Sequence, residues 1–346
     1  MKKYGILIVD DSAFMRRAIG QILEEDPNFS VVGIARNGLD AIEKVQRLKP
    51  DLVTMDVEMP EMNGIEALEQ MMKISPVPVV MLSSRTAEGA EETIKALELG
   101  AVDFFLKDRL IGTRVSNDDI QDFLMRLKGI MEAKPKSSLP NDKPQLKPHR
   151  NRMNREIELL FIGSSTGGPS ALQTILPCFP KEFSVPIVVA QHMPPGFTKP
   201  LAERFNSICK LGVREAEDGL PVKAGTIYIA PSGYQTRFET KLDGTVIFKV
   251  DHDAENQALY KPSVDITLTS AAPLFQDRLL SVILTGMGSD GMLGCGLVKK
   301  YHGTVFVEAE ESCTVYGMPK AVQEAGYADG QFMLSQMYNE IISFIK

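Results

Sequence analysis

Between residues 4 and 106, short runs of aliphatic and β-branched residues alternate with longer segments whose apolar positions recur every three or four residues. The runs at 4–9, 31–35, 52–55, 77–82 and 102–106 predict buried strands, and 12–25, 38–48 and 86–99 predict the helices between them. Strands that read as unbroken apolar runs, rather than alternating ones, belong to a parallel sheet covered on both faces. After a break the same rhythm resumes. Residues 157–161, 185–192 and the run from 279 predict further buried strands, and 170–176 the start of a helix. The pattern predicts an α/β protein with two doubly wound parallel-sheet domains joined by a flexible linker. The expected limits are 1–130, 131–155 and 156–346.

The break itself changes character. Residues 133–155 are rich in Pro, Lys and Asn and carry no apolar period, which describes an exposed, semi-extended connector. Its basic charge also suits an acidic partner or a phosphate. The whole chain of 346 residues carries a net charge of -7, which argues against a nucleic-acid binder resting on a basic face. No run of about 18 apolar residues is present, so no membrane insertion is expected. Acidic residues arrive too early at the N-terminus for a signal peptide, and four scattered cysteines (178, 209, 295, 313) have no metal-ligand spacing. A cytoplasmic protein with reduced thiols is expected.

In a doubly wound sheet, chemistry gathers at the carboxyl ends of the strands. Asp10 and Asp11 close the first predicted strand and Asp56 the third, with Ser83 after the fourth and Lys107 after the fifth. Singly, each Asp also fits a helix cap or a turn. Converging carboxylates repel unless a cation sits among them, and oxygen ligands around a small hard ion favour Mg²⁺. A lysine and a hydroxyl beside such an ion can hold a phosphoryl group.

In the second half, Gly163, Ser165 and Gly167 fill a Gly-x-Ser-x-Gly pattern between a predicted strand and a predicted helix, the context in which a serine is presented as a nucleophile. The same stretch fits a phosphate cradle at a helix N-terminus or a plain tight turn. Of the four histidines, His192 alone lies at a predicted strand end. His149 is in the linker, His252 sits in a charged run, and His302 precedes Gly303 where a helix ends, a C-cap position. A third strand end runs into Thr285-Gly-Met-Gly-Ser-Asp290-Gly, where Asp290 either orients a histidine or caps the helix that follows it. Ser165, His192 and Asp290 together supply a nucleophile, a base and a group to orient the base.

The segments Ile6-Leu-Ile-Val-Asp10-Asp11-Ser-Ala-Phe-Met-Arg and Asp51-Leu-Val-Thr-Met-Asp56-Val-Glu-Met-Pro-Glu-Met-Asn-Gly64 resemble the receiver domain of a bacterial response regulator. The resemblance implies a flavodoxin-like fold and phosphorylation of Asp56 by a histidine kinase. It also implies Mg²⁺ held by Asp10, Asp11, Asp56 and the backbone of Glu58, with Ser83, Lys107 and Phe104 as switch residues. Receivers usually carry proline after that lysine, and here Asp108 stands in its place.

Ile162-Gly-Ser-Ser165-Thr-Gly-Gly, Ala190-Gln-His192-Met-Pro-Pro-Gly-Phe and Ile283-Leu-Thr-Gly-Met-Gly-Ser-Asp290-Gly are similar to three motifs of the chemotaxis protein-glutamate methylesterases. Two departures are Ser164, where alanine is common, and Lys261, where arginine often precedes Pro-Ser-Val-Asp265. The resemblance implies a Rossmann-like serine hydrolase that frees methanol from glutamate methyl esters on chemoreceptors and needs no cofactor for that step. It implies Ser165, His192 and Asp290 as catalytic residues, with the Thr166 and Met287 N–H groups at the oxyanion. Deamidation of receptor glutamine is the companion reaction. A phospho-regulated receptor-binding module without turnover is the alternative.

Overall fold

The structure, a computed structural model, describes residues 3–84, 86–112, 115–132, 156–252 and 258–345. It divides into two compact units, 1–133 and 134–346. Most of the predicted linker lies outside the described residues.

In the first unit, β1 (Tyr4–Val9), β2 (Phe29–Ala35), β3 (Leu52–Asp56), β4 (Val79–Ser83) and β5 (Asp103–Leu106) form a parallel sheet of order β2-β1-β3-β4-β5. Helices α1 (Ala13–Glu24), α2 (Gly38–Leu48), α3 (Gly64–Ile74), α4 (Ala87–Glu98), α5 (Lys107–Leu110) and α6 (Asn117–Glu132) complete it. Every residue of β3, β4 and β5 is buried, as continuous apolar runs require. Burying each large aliphatic side chain there contributes roughly 1.5–3 kcal/mol. Ser12 starts α1 by accepting the Met15 N–H, and Asn63 and Glu66 form a capping box on α3.

Most limits fall within two residues of expectation, and three departures have a physical reason or consequence. β4 begins at Val79 rather than residue 77, because Pro78 brings no N–H to the ladder. α6 runs to Glu132, so the first two residues assigned to the linker are helical. Without proline after it, Lys107 itself opens a four-residue helix directly after β5.

In the second unit the order is β6 (Leu159–Ser164), α7 (Gly168–Ile175), β7 (Ile187–Gln191), α8 (Thr198–Ile208), β8 (Gly212–Glu215), β9 (Thr226–Ile229), then the antiparallel pair β10 (Gln235–Thr240) and β11 (Val246–Asp251). It continues with α9 (Val264–Phe275), β12 (Leu279–Ile283), α10 (Met292–Lys300), β13 (Thr304–Glu308), α11 (Met318–Glu324), β14 (Gly330–Phe332) and α12 (Leu334–Ile345). Seven parallel strands run in the order β14-β13-β12-β6-β7-β9-β8. β6 begins later than the apolar run suggested and extends through Ser164, leaving Ser165 as the first residue beyond it. Both faces of β6, β7 and β12 are buried. Strand order reverses at β6, between β12 and β7, and such a reversal opens a crevice beyond the carboxyl ends. No helix among the described residues is long and apolar enough to cross a membrane.

Candidate active site

Three loops meet at that reversal. Ser165 leaves β6 with 8% of its surface exposed, and its N–H donates to the Thr285 carbonyl beyond β12 at 3.0 Å. The chain then turns sharply at Gly167, whose φ of 77° lies in the left-handed region, and a Cβ there would sit 2.4 Å from Thr314. Helix α7 starts at once, with Pro169 in its first turn, where a missing N–H costs nothing.

His192 is the first residue beyond β7, and its imidazole is 6% exposed. Nε2 lies 2.8 Å from Asp290 Oδ2. The ring stacks on Tyr260, with centroids 4.0 Å apart and planes 8° from parallel. Nδ1 is buried and has no hydrogen-bond partner. With Nε2–H turned to the carboxylate, Nδ1 carries the lone pair. It is the nitrogen left to take a proton. The His192 N–H donates to the Ser164 carbonyl at 3.0 Å, which ties the two strand ends together through the backbone.

The Asp290 carboxylate collects four donors. Besides Nε2, it accepts the Val264 N–H (2.7 Å), the Asp265 N–H (2.9 Å) and the Ser263 hydroxyl (2.9 Å). Burial pushes its pKa up, but the imidazole and these N–H groups outweigh that and hold it below the ordinary carboxylate value. Asp290 does act as a helix cap, yet for α9 rather than for the helix that follows it in sequence. The N-terminus of α10 is served by Asp265, whose Oδ1 accepts the Gly291 (2.9 Å) and Gly294 (2.7 Å) N–H groups. Burial, reinforced by the charge of Asp290, raises the Asp265 pKa to about 6 despite those bonds.

Two peptide planes near these loops are fixed through their carbonyls. The Gly286 carbonyl accepts the Gly317 (3.0 Å) and Met318 (2.8 Å) N–H groups, so the Met287 N–H of the same trans peptide points the opposite way. The Ser165 carbonyl is likewise held, by the Gly168 N–H at 2.7 Å and Gln191 Nε2 at 3.0 Å, which turns the Thr166 N–H away from them. Thr285 links the loops. Its hydroxyl donates toward the Thr166 carbonyl and accepts the Val315 N–H, while its own N–H donates to the buried Glu308 carboxylate.

In the first unit, one ligand oxygen each from Asp10, Asp11 and Asp56 falls within 4.8 Å of the others. Lys107 Nζ lies 2.5 Å from Asp56 Oδ1 and 3.3 Å from Asp10 Oδ2, and that Asp10 oxygen is buried without a hydrogen bond. Burial raises the Asp56 pKa to about 6, although Lys107 opposes the shift and the Glu58 N–H bonds its Oδ1. For Lys107, burial works against the charge, but Asp56 and Asp10 prevail and raise its pKa. Three carboxylates this close, with one Asp10 oxygen buried and lacking a hydrogen bond, suit a hard divalent cation. The Ser83 hydroxyl sits 2.7 Å from Thr93 Oγ1 and 3.1 Å from the Gly89 carbonyl, and Phe104 is buried in β5.

Sequence reasoning passed over Gln191, Tyr260, Ser263, Asp265 and Glu308 as site-building residues. Elsewhere, His302 adopts φ 67° beyond α10, as a C-terminal cap position would, and His252 stacks on Tyr234. Cys295 and Cys313 are buried free thiols, whereas Cys178 is exposed.

Residues 160–341 match the CheB methylesterase family, and residues 6–112 match the response regulator receiver domain. A protein-glutamate methylesterase/protein-glutamine glutaminase of Thermotoga maritima is 46% identical over 329 residues, covering 94% of this chain and 93% of that relative. One of the same name from Archaeoglobus fulgidus is 40% identical, covering 99% and 98%. Among solved structures, the Thermotoga maritima CheB methylesterase catalytic domain aligns with 54% of this chain and 98% of its own, at 46% identity and a TM-score of 0.52.

Proposed function

The chain belongs to the CheB methylesterase family, and from that premise we propose that it is a phosphorylation-activated serine hydrolase acting on chemoreceptor glutamate methyl esters. The observation that carries this reading is the His192–Asp290 pair, bonded through Nε2 with Nδ1 buried and unpartnered, on a strand end that the His192 N–H ties to the Ser164 carbonyl just before Ser165.

Ser165 Oγ attacks the ester carbonyl as His192 Nδ1 takes its proton. Asp290 keeps the proton of Nε2 in place and stabilises the imidazolium that forms. The Thr166 and Met287 N–H groups receive the oxyanion. His192 then gives its proton to the departing methoxide, so methanol leaves and an acyl-Ser165 remains. Water, deprotonated by the same Nδ1, frees the glutamate and restores the serine. Attack on a receptor glutamine follows the same path with ammonia leaving, which is the glutaminase reaction that the relatives are named for.

The first unit supplies the control. Residues 1–130 act as the receiver, 131–155 as the connector and 156–346 as the hydrolase, with the helical end of α6 reaching Glu132. Asp56 accepts the phosphoryl group from a histidine kinase. Asp10, Asp11, Asp56 and the Glu58 carbonyl would hold Mg²⁺, which neutralises charge on the transferred oxygens. Lys107 pairs with the phosphoryl oxygens, Ser83 exchanges its bond to Thr93 for one to them, and Phe104 follows as the buried aromatic switch.

Methanol release from methylated receptor membranes, with and without acetyl phosphate, tests the proposal. Donor-stimulated release that disappears in Ser165→Ala is the expected result. Release that persists in Ser165→Ala would remove the assigned nucleophile, and no release from wild type would remove the esterase reading.

A further inference from the structure

The side chain of Gln191, the last residue of β7, is 2% exposed and lies between the two strand ends that carry the nucleophile and the base. Its Nε2 donates to the Ser165 carbonyl and to the His192 carbonyl, each at 3.0 Å. Its Oε1 accepts the Ser164 hydroxyl at 2.6 Å. Two carbonyls can only accept, so they fix which end of the carboxamide carries the hydrogens, and the Ser164 hydroxyl then completes its bonding. The fit is close. A Cβ on Gly168 would stand 2.0 Å from Oε1, so the first residue of α7 leaves room for this amide.

We propose that Gln191 is a positioning residue that fixes the Ser165–Thr166 peptide plane and couples it to the backbone of the base, with Ser164 as its orienting partner. This rests on the reading of Ser165, His192 and Thr166 given above. A trans peptide directs its N–H opposite to its carbonyl. Anchoring the Ser165 carbonyl therefore aims the Thr166 N–H at the place where the oxyanion develops. The Gly168 N–H also holds that carbonyl, but it belongs to the same turn and moves with it. Gln191 instead joins that carbonyl to the end of β7 and to the His192 carbonyl. A donor held in advance stabilises a transition state without reorganising, so its loss appears in kcat. The Ser164 hydroxyl adds a bond that an alanine there would lack.

The test uses the full chain activated by acetyl phosphate, with methylated receptor membranes as substrate. Gln191→Ala should lower kcat by about ten- to a hundredfold with KM within about twofold, part of the cost of an oxyanion donor. Ser164→Ala should lower kcat about two- to fivefold. In Gln191→Glu, an ionised carboxylate faces two carbonyl oxygens and only its protonated form can donate. Its activity relative to wild type should therefore rise as pH falls from neutral toward about 5, a response that a packing role would not produce. If Gln191→Ala unfolds, Ser164→Ala and the Gln191→Glu pH ratio decide the matter. Wild-type kcat in Ser164→Ala together with a flat Gln191→Glu ratio would overturn the proposal while leaving the esterase intact. A wild type that releases no methanol would remove the reading beneath it.

Discussion

Asp265 and Asp290 each cap the helix that begins at the other. Asp290 bonds the Val264 and Asp265 N–H groups that open α9, and Asp265 bonds the Gly291 and Gly294 N–H groups that open α10. Helix N-termini carry partial positive charge and unsatisfied donors, so each carboxylate meets favourable surroundings. The exchange fixes the loop between β12 and α10, and with it the oxygen that His192 uses. Two carboxylates so near one another also repel, and the cost falls on Asp265, whose pKa rises while that of Asp290 falls.

Asp265→Asn should therefore stabilise the hydrolase at neutral pH. Burial, with Asp290 beside it, raises the Asp265 pKa from 3.8 to about 6. Between those values the native state keeps a proton that the unfolded chain has released, so stability falls as pH rises through the window. Asparagine keeps an oxygen for the Gly291 and Gly294 N–H groups and carries no charge. The expected gain is about 1 kcal/mol near neutral pH, after allowing for partial solvent access, and it should vanish below about pH 4. Thermal melts of both proteins across this range measure it. A gain that grows toward low pH would contradict the assignment.

Asp290→Ala should cost far more in rate than in substrate affinity. His192 loses the acceptor that fixes its tautomer, and the Val264 and Asp265 N–H groups at the start of α9 lose theirs, while Ser263 still caps that helix. A drop in kcat of about 10⁴-fold is expected, with KM little changed. The lost acceptor should lower stability by about 1–2 kcal/mol. Initial rates of methanol release and denaturant unfolding separate the two effects.

The parts of the site that became visible in sequence were those at strand ends. Ser165, His192 and Asp290 each follow an unbroken apolar run, and the carboxyl edge of a parallel sheet is where such residues gather. The direction in which Asp290 caps was not visible. Sequence proximity favours α10, whereas the carboxylate reaches α9, 26 residues earlier, because β12 brings the two helix starts together. Gln191 was hidden for a related reason. A single polar residue at the end of an apolar strand carries no periodic signal, and its role depends on a serine 27 residues away. Tyr260 lies outside any regular element and meets His192 only through the fold. In the first half, the acidic positions announced a cation pocket, but the hold of Thr93 on Ser83 needed α4 in place.

Arg126→Met should loosen β5 from α6. The guanidinium Nε and Nη2 donate to Asp103 Oδ2 at 3.0 and 2.6 Å, and its centre lies 4.2 Å above the Phe105 ring. Asp103 is 5% exposed, so removing only its partner leaves a buried charge, at a cost of about 3 kcal/mol. Asp103→Asn in the same chain should recover much of that loss, since no buried charge then remains. Hydrogen exchange at the β5 and α6 amides reads both changes, and single and double variants that exchange equally fast would argue against a charge penalty.

Lys107→Ala should make the first unit depend on a divalent cation for stability. Lys107 is the cation that meets both Asp56, at 2.5 Å, and Asp10, at 3.3 Å, and both carboxylates are almost fully buried. Its removal leaves them facing each other, and burial already raises the Asp56 pKa to about 6 with the lysine present. A loss of about 1–3 kcal/mol is expected in chelator. Added Mg²⁺ binds the native acidic cluster and not the unfolded chain, so it should stabilise the variant more than wild type and narrow the gap. Restored stability should not restore control, because Mg²⁺ does not replace the ammonium group assigned to the phosphoryl oxygens. Melts of both proteins with chelator and with millimolar Mg²⁺ test the first half of this prediction. Acetyl phosphate stimulation of methanol release tests the second, and full stimulation in Lys107→Ala would take the lysine out of the switch.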